Sequence, residues 1–377
     1  KKIEINIFLY LYLNFNKFFM KVFFDYTIFT HQRFGGISNY IVNLVENFSE
    51  QVDPLIISLF YKNHYLKNSS FADKAFFYNR IGFLIKYVNR ANKIYFNYQL
   101  KNKKPDIIHL TYFNEKNFYK SKAKTVITEY DLIKEKFYAK RYKNQIEYKK
   151  TLFEKVDQII CISNNTKKDL QQEYSIDTSK ISVVHLAINK DKSFRERSLN
   201  IRPFILYVGS RQRYKNFINL IKVYARSSKL KLDFDLVCFG GGNFLKNEED
   251  LFRDLSVDRS RIHYFEGDDL DLNYFYHKAR IFVFPSLYEG FGLPLLEAMN
   301  MECPVICSDT SCFPEIVNDA AILFDPTDLE SLEFKIEKLI YDDQLLLDLK
   351  KKGKKNLNKY SWKKCADETE RLYKKII

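Results

Sequence analysis

Residues 280–307 constrain this chain more tightly than any other part of it: R-I-F-V-F-P-S-L-Y-E-G-F-G-L-P-L-L-E-A-M-N-M-E-C-P-V-I-C. Ile281 to Phe284 are an apolar, β-branched and aromatic run of the kind that makes a buried strand, and Pro285 and Ser286 end it. Glu289, Gly290, Phe291 and Gly292 follow as a loop whose glycines admit positive φ, so that backbone N–H groups can turn inward together. Pro294 suits the first position of a helix, which Leu295, Leu296, Ala298 and Met299 continue, and residues 304–307 read as a second strand. Strand, glycine loop, helix and strand make a βαβ unit with a helix N-terminus aimed at the crevice above a parallel sheet. Its unsatisfied N–H groups carry about half a positive charge, which suits a diphosphate.

Two carboxylates bracket the loop. Glu289 stands at its start and Glu297 lies in the first turn of the helix. The helix dipole alone favours a carboxylate there. Eight residues from a second glutamate, across a phosphate-binding loop, Glu297 also reads as an acceptor for two sugar hydroxyls, with Glu289 holding another polar group.

The rest of the chain supplies companions for this unit. At 377 residues it has room for about two domains, each with its own core. The formal charge of +14 is uneven: residues 1–190 hold 31 basic and 17 acidic side chains, whereas residues 191–377 hold 30 of each. One domain is therefore expected to face an anionic partner, either a membrane surface or an anionic acceptor, although the abundance of Lys, Asn, Ile, Phe and Tyr throughout makes compositional drift a rival account. No helix-turn-helix, zinc or RNA-binding signature accompanies the charge, which argues against nucleic acid. Cys161, Cys238, Cys303, Cys307, Cys312 and Cys365 include no C-x-x-C pair and no zinc spacing, so a reducing cytoplasm and no structural metal are expected. The apolar run 7–13 is too short to span a bilayer. With a natural-looking start at Met20, residues 1–19 read as an upstream extension.

In chain order, residues 20–25 form a first strand, and Gly35 and Gly36 lead into a periodic helix. The glycine pair is either an ordinary tight turn or a close approach to phosphate or sugar. Strands are expected at 55–60, 107–110, 124–128, 156–162 and 181–186. Tyr130 and Asp131 stand at the carboxyl end of the fourth, where sites lie in open parallel sheets. Residues 134–155 read as a basic helical stretch interleaved with Phe137, Tyr138, Tyr142 and Tyr148, either a solvated face or an interfacial patch. Residues 187–202 look like a linker. A second domain restarts with strand 204–208 and the loop Gly209, Ser210, Arg211, Gln212, Arg213, Tyr214, Lys215, whose cations point at the crevice bordered by Glu289. Strands follow at 235–239, ending in Gly240, Gly241 and Gly242, and at 261–265.

E-G-F-G-L-P-L-L-E-A resembles the Glu-x7-Glu signature of the family-4 retaining glycosyltransferases, and further matches run from about Met20 to Tyr373, including S-x-x-P-E at residues 311–315. The resemblance implies a GT-B fold: two Rossmann-like α/β domains with parallel sheets facing a cleft. It divides the chain into an acceptor domain at 20–186, a linker at 187–202, a nucleotide-sugar-binding domain at 203–359 and a helix at 360–377 that crosses back to the first domain. By the same resemblance Glu297 binds the nucleotide ribose, and Glu289 lies near the donor sugar. Gly290, Phe291, Gly292 and Leu293 face the donor with Gly35, Gly36 and Gly209. Lys215 holds the family's lysine position, Arg211 and Arg213 each fit its arginine, and Asp131 lies on the acceptor side. Where many members have His-Asp, this chain has Tyr130-Asp131, and Tyr130 is expected to orient an acceptor hydroxyl rather than act as a base, since an ordinary phenol titrates near 10.

The implied activity is transfer of a hexose from a nucleotide-diphosphate sugar to a glycan or polyprenyl-linked acceptor, with retention and without metal or cofactor. Cell-surface polysaccharide or lipopolysaccharide synthesis, by a cytoplasmic protein peripheral on the inner face of the membrane, would be its setting. Y-V-G-S-R-x-x-Y-K-N is similar to the corresponding stretch of some mannosyltransferases, which suggests mannose from a GDP donor. Two other classes stay open at this point: an epimerase or hydrolase of the same fold, needing no acceptor, and a catalytically silent nucleotide-sugar-binding module.

Overall fold

A computed structural model describes residues 19–71, 75–78, 84–113 and 121–377. Nearly all of the extension expected at 1–19 thus lies outside the described residues. Among the described residues, short apolar runs separated by helices give fourteen strands. The first half holds β1 (Met20–Asp25), β2 (Val52–Ile57), β3 (Phe60–Tyr61), β4 (Phe76–Phe77), β5 (Ile107–Leu110), β6 (Lys124–Glu129), β7 (Gln158–Cys161) and β8 (Ile181–Val183). The second holds β9 (Phe204–Val208), β10 (Asp235–Phe239), β11 (Ile262–Phe265), β12 (Ile281–Phe284), β13 (Val305–Ser308) and β14 (Ala321–Phe324). Apart from the small β3–β4 ribbon they form two six-stranded parallel sheets, ordered β2-β1-β5-β6-β7-β8 and β11-β10-β9-β12-β13-β14. The two-sheet α/β architecture expected from the sequence is the one observed. Strands β5, β7, β9, β10, β12 and β13 are buried along their whole length, as their largely apolar sequences require when helices cover both faces.

The strand at 55–60 is displaced: β2 covers Val52–Ile57 and includes Pro54. Pro54 lacks an N–H and reads as a breaker, but β2 is an edge strand, where a missing donor costs no ladder bond. The basic stretch 134–155 also departs from expectation. It is two helices, Ile133–Tyr138 and Lys143–Lys155, and Lys149 is buried, 2.7 Å from Glu129 and 2.8 Å from Glu135. Phe137 turns inward onto Tyr214 and Tyr288 of the second half, and Tyr142 lies beneath the Lys134 ammonium. Burial outweighs Lys149 and pushes the Glu129 carboxyl up to about 8.

In both sheets the strand order reverses once, between β1 and β5 and between β9 and β12. Crevices open at the carboxyl ends of such reversals. The first is tied by Asp25, whose Oδ1 accepts from the backbone N and Oγ1 of Thr111, both at 2.7 Å.

The last helix, Trp362–Ile376, is capped by Ser361 and packs on the helix Gly36–Glu46 of the first half. The Tyr373 hydroxyl lies 2.5 Å from His109 Nδ1, Ser49 Oγ donates to Glu370 at 2.9 Å, and the rings of Trp362 and Tyr40 approach at 6.3 Å. Residues 187–202 are extended but pinned: Arg195 and Arg197 meet Asp271 at 2.6 and 2.8 Å. His109 is wholly buried between Tyr373 and Thr128, and burial lowers its imidazole to about 3, so it stays neutral in the folded chain. Because the unfolded chain takes up that proton near pH 6.5, His109 erodes stability as pH falls below about 6.5. Tyr373→Phe leaves a ring nitrogen of His109 without its partner, and we expect it to lower unfolding stability by about 1–3 kcal/mol, read as a lower denaturant midpoint at unchanged m-value.

Candidate active site

The reversal between β9 and β12 collects the loops that carry the charged residues. After β9 the chain passes Gly209 and a single turn, Arg213–Lys215, that Asn216 closes in the left-handed conformation. Asn216 is fixed by its own side chain, which donates to the Pro326 carbonyl at 2.9 Å. After β12 comes Glu289, and the two loops meet there: Lys215 Nζ lies 2.6 Å from Glu289 Oε1. Both side chains are only about 15% exposed, 15% for Lys215 and 14% for Glu289, so the pair sits in a partly dry crevice rather than on the surface. Burial pushes the Glu289 carboxyl up, and Lys215 opposes that shift. The backbone of Glu289 is held from a third side by Ser311, whose Oγ receives from Glu289 N at 3.2 Å and donates to its carbonyl at 2.6 Å.

Gly290 is where the first half closes on this loop. A Cβ there would lie 1.7 Å from the Tyr130 carbonyl oxygen and 3.1 Å from Asp131 Cβ, so no other residue fits. Thr166 Oγ1 donates to the Gly290 carbonyl at 3.3 Å. Gly292, at φ 90°, begins the helix Leu293–Asn300 with Pro294 in its first turn. Phe291 is buried, its ring against His185 and Tyr360, so its side chain is packing and it can offer the crevice only backbone. One turn into the helix, Glu297 receives the Tyr276 hydroxyl at 3.3 Å on Oε2, and burial pushes its carboxyl up to about 7. Glu297 and Leu293 line a cavity of about 300 Å³ whose far wall is Gly35, Gly36, Asn39 and Tyr65 of the first half.

Asp131, partly buried, accepts the Ile133 N–H at 3.0 Å, and burial raises its carboxyl as well. Asp131, Glu289, Lys215 and Gly290 therefore gather at one junction, while Glu297, Leu293, Gly35 and Gly36 gather at the adjoining cavity.

Two residues behave differently from the sequence reading. The Arg211 side chain is 3% exposed, with Nε 2.7 Å from Glu248 Oε1 and its terminal nitrogens on the carbonyls of Gly240, Gly242 and Asn243. It binds its own loop to the glycine triplet, and Arg213, exposed and with no ion pair among the described residues, is the arginine left facing outward. Tyr130 is buried against Tyr40, and its hydroxyl donates to the Thr111 carbonyl at 3.3 Å, so it has no hydroxyl to offer an acceptor. Three groups went unread in the sequence. Tyr276 supports Glu297 as described; Tyr288 donates to Asp169 at 2.8 Å; and His185 Nε2 lies 2.6 Å from Glu315 Oε1. Glu315 also accepts from Asn164 N at the start of a first-half helix, at 3.0 Å. Only the S-x-x-P-E pattern around Glu315 carried a signal.

Comparison with known proteins agrees with this geometry. Residues 189–356 match the family described as glycosyl transferases group 1, and residues 34–192 match glycosyltransferase family 4. Among curated relatives, the chain is 29% identical over 251 residues to O-antigen chain mannosyltransferase B of Escherichia coli, covering 62% of this chain and 65% of that one. It is 28% identical over 184 residues to O-antigen chain mannosyltransferase RfbU of Salmonella typhimurium, covering 48% and 50%. The chain thus spans less than two thirds of the length of these relatives. Its fold is shared with sucrose-phosphate synthase from Thermosynechococcus elongatus, at TM-score 0.69 and 18% identity over 94% of this chain and 98% of that one. It is also shared with Anabaena Alr3699/HepE in complex with UDP and glucose, at TM-score 0.72 and 14% identity over 94% and 99%. With its two halves matched in turn from residue 34 to residue 356, the chain belongs to the family-4, group 1 glycosyltransferases and has their GT-B fold.

Proposed function

We propose that this protein transfers a hexose, mannose from a GDP donor being the first candidate, from a nucleotide-diphosphate sugar to a glycan or polyprenyl-linked acceptor in cell-surface polysaccharide synthesis, with retention of configuration. The observation that carries the reading is the junction at Gly290, where Lys215, Glu289 and the start of the helix Leu293–Asn300 meet Asp131 of the other half. The similarity to O-antigen mannosyltransferases supports the choice of sugar and setting.

The chemical problem is the negative charge that develops on the departing diphosphate while the anomeric carbon becomes cationic. Fixed donors in a partly dry crevice stabilise such charge without reorganising, which is a large term in catalysis. Lys215, desolvated and held by Glu289, Arg213 at the loop edge and the N–H groups following Gly290 would do this. Glu289, beside Lys215, would take the donor-sugar end, and Glu297 would accept the ribose hydroxyls in the cavity walled by Gly35 and Gly36. The acceptor hydroxyl would approach past Asp131. Its oxygen forms the new bond to the anomeric carbon on the face the phosphate oxygen leaves, and its proton passes to that phosphate oxygen.

Four outcomes check the assignment. A panel of nucleotide sugars with and without lipid-linked acceptor should release nucleotide only when acceptor is present; release without acceptor points to hydrolysis instead. Glu297→Ala should weaken binding of GDP, or of whichever nucleotide the panel selects, by about 1.5–3 kcal/mol, roughly ten- to a hundred-fold by calorimetry. Since the free carboxyl titrates near 7 and only its ionised form is the strong acceptor, wild-type affinity should rise between about pH 6 and 8 with proton release, and Glu297→Gln should flatten that rise. Asp131→Asn should lower turnover at unchanged nucleotide affinity, whereas Tyr130→Phe, which loses a buried hydroxyl bonded within the first half, should cost about 1 kcal/mol of stability and leave turnover near wild type.

A further inference from the structure

We propose that Lys149 is a positioning residue for sugar transfer, its buried ammonium fixing the turn that presents Asp131 to the acceptor. This rests on the acceptor-side role of Asp131 proposed above. Three oxygens converge on Lys149 Nζ: Glu129 Oε1 at 2.7 Å, Glu135 Oε1 at 2.8 Å and the Asp131 carbonyl at 3.4 Å. An ammonium has three N–H donors, so this set engages all of them. Glu129 ends β6, Asp131 lies in the turn and Glu135 belongs to the first turn of the helix Ile133–Tyr138. One cation therefore holds the chain before, within and after the bend from strand to helix. It comes from a separate element, the helix Lys143–Lys155, and its side chain is 4% exposed. The rings of Phe113 and Phe153 flank the ammonium at 5.1 and 5.8 Å, and the Tyr174 hydroxyl donates to Glu135 at 2.5 Å.

Stability alone is a weak reason for such a group. Burying an ion triad forfeits the hydration of every charge in it, and well-packed apolar side chains of similar volume often hold a fold as well or better. What the triad supplies is direction, because an apolar side chain at position 149 could not hold a carbonyl oxygen. The Asp131 carboxylate is aimed by a local bond: it accepts the Ile133 N–H at 3.0 Å, which sets the side chain relative to its own backbone. The backbone must then be fixed in turn. Two of its holds come from the second half, where the Tyr288 hydroxyl receives the Leu132 N–H at 3.3 Å and Gly290 abuts the Tyr130 carbonyl. Lys149 supplies the hold that comes from the first half, beneath the residue meant to meet the acceptor. A misplacement of about 1 Å can cost about a hundred-fold in rate, so a rigid support there acts on turnover and leaves donor binding, made by the second half, untouched.

The test uses the full chain and the Glu129→Gln/Glu135→Gln/Lys149→Met variant, in which cation and carboxylates leave together and no charge is orphaned. Its thermal melt should stay near that of the wild type. Amide hydrogen exchange at residues 131–135 should quicken at least about ten-fold, while exchange in β5 and β7 holds. With the donor and lipid-linked acceptor that the nucleotide-sugar panel selects, kcat counted per nucleotide-binding site should fall at least about ten-fold, and nucleotide affinity should stay within about two-fold. Adding Asp131→Asn to this variant should lower kcat by less than about two-fold more, since both changes remove the same positioned carboxylate. Lys149→Met alone strands two carboxylates and should lose stability as well as turnover. Unchanged exchange at 131–135, turnover retained with the melt, a melt lost together with nucleotide binding, or a full further loss on adding Asp131→Asn would each overturn the proposal. Wild-type turnover in Asp131→Asn by itself would remove the acceptor-side role beneath it, whatever Lys149 does.

Discussion

The contact on which the rest of the site depends is between two backbones. The carbonyl of Tyr130, at the end of β6, occupies the space a side chain at Gly290 would need. Through it the strand end that carries Asp131 and the loop that carries Glu289 become neighbours, although 158 residues separate them in sequence. Thr166, Tyr288 and Glu315 reinforce the approach with hydrogen bonds between the halves. An alanine at position 290 would have to push the halves apart, moving Asp131 away from Glu289 and Lys215 together.

Charge in the crevice is arranged under the same constraint. A carboxylate withdrawn from water must find a cation or become protonated, and Glu289 finds Lys215. Glu297 has a tyrosine hydroxyl rather than a cation, and its carboxyl rises to about 7 accordingly. The difference suits two tasks. Lys215, paired with Glu289, is ready for phosphate, while Glu297 gains an ionised state stabilised by hydroxyl donors when a ligand supplies them. Arg211 belongs to neither task. With its donors on Glu248 and three carbonyls, it fixes the loop on which Arg213 and Lys215 stand.

The sequence made the sheets legible because buried parallel strands leave a local mark: residues 204–208, 235–239 and 281–284 are apolar apart from Asp235 and became β9, β10 and β12 without a change of boundary. The glycine loop and Pro294 were legible for the same reason, since turn and helix-start chemistry are local. Partners set by the fold were not. Nothing beside Arg211 announces Glu248, 37 positions on, and nothing beside Tyr130 shows that its ring enters the core against Tyr40. The 134–155 stretch misled because a lysine-rich sequence reads as solvated. Lys149 is buried only because Glu129 and Glu135 converge on it from a strand end and a preceding helix. Pro54 shows the converse case, a strong local signal overruled by position at a sheet edge.

The halves are joined at two places, around the crevice and along the last helix. Around the site the contacts combine hydrogen bonds, Asn164 to Glu315, Thr166 to Gly290 and His185 to Glu315, with the rings of Phe137 against Tyr214 and Tyr288 and of Phe291 against His185. Water can replace such bonds at small net cost, about 0.5–1.5 kcal/mol each. At the opposite side, the last helix is attached by buried rings, Trp362 against Tyr40 and Tyr373 against Phe48, with Tyr373 also bonded to His109 inside the core. Exposing those rings costs more, since full burial of a large side chain is worth about 1.5–3 kcal/mol and the orphaned polar atoms would add to it. Parting the Gly290–Tyr130 contact would therefore expose the rings of Phe137, Tyr288 and Phe291 as well as exchange hydrogen bonds with water, so both sides of the molecule hold the halves together through buried aromatic side chains.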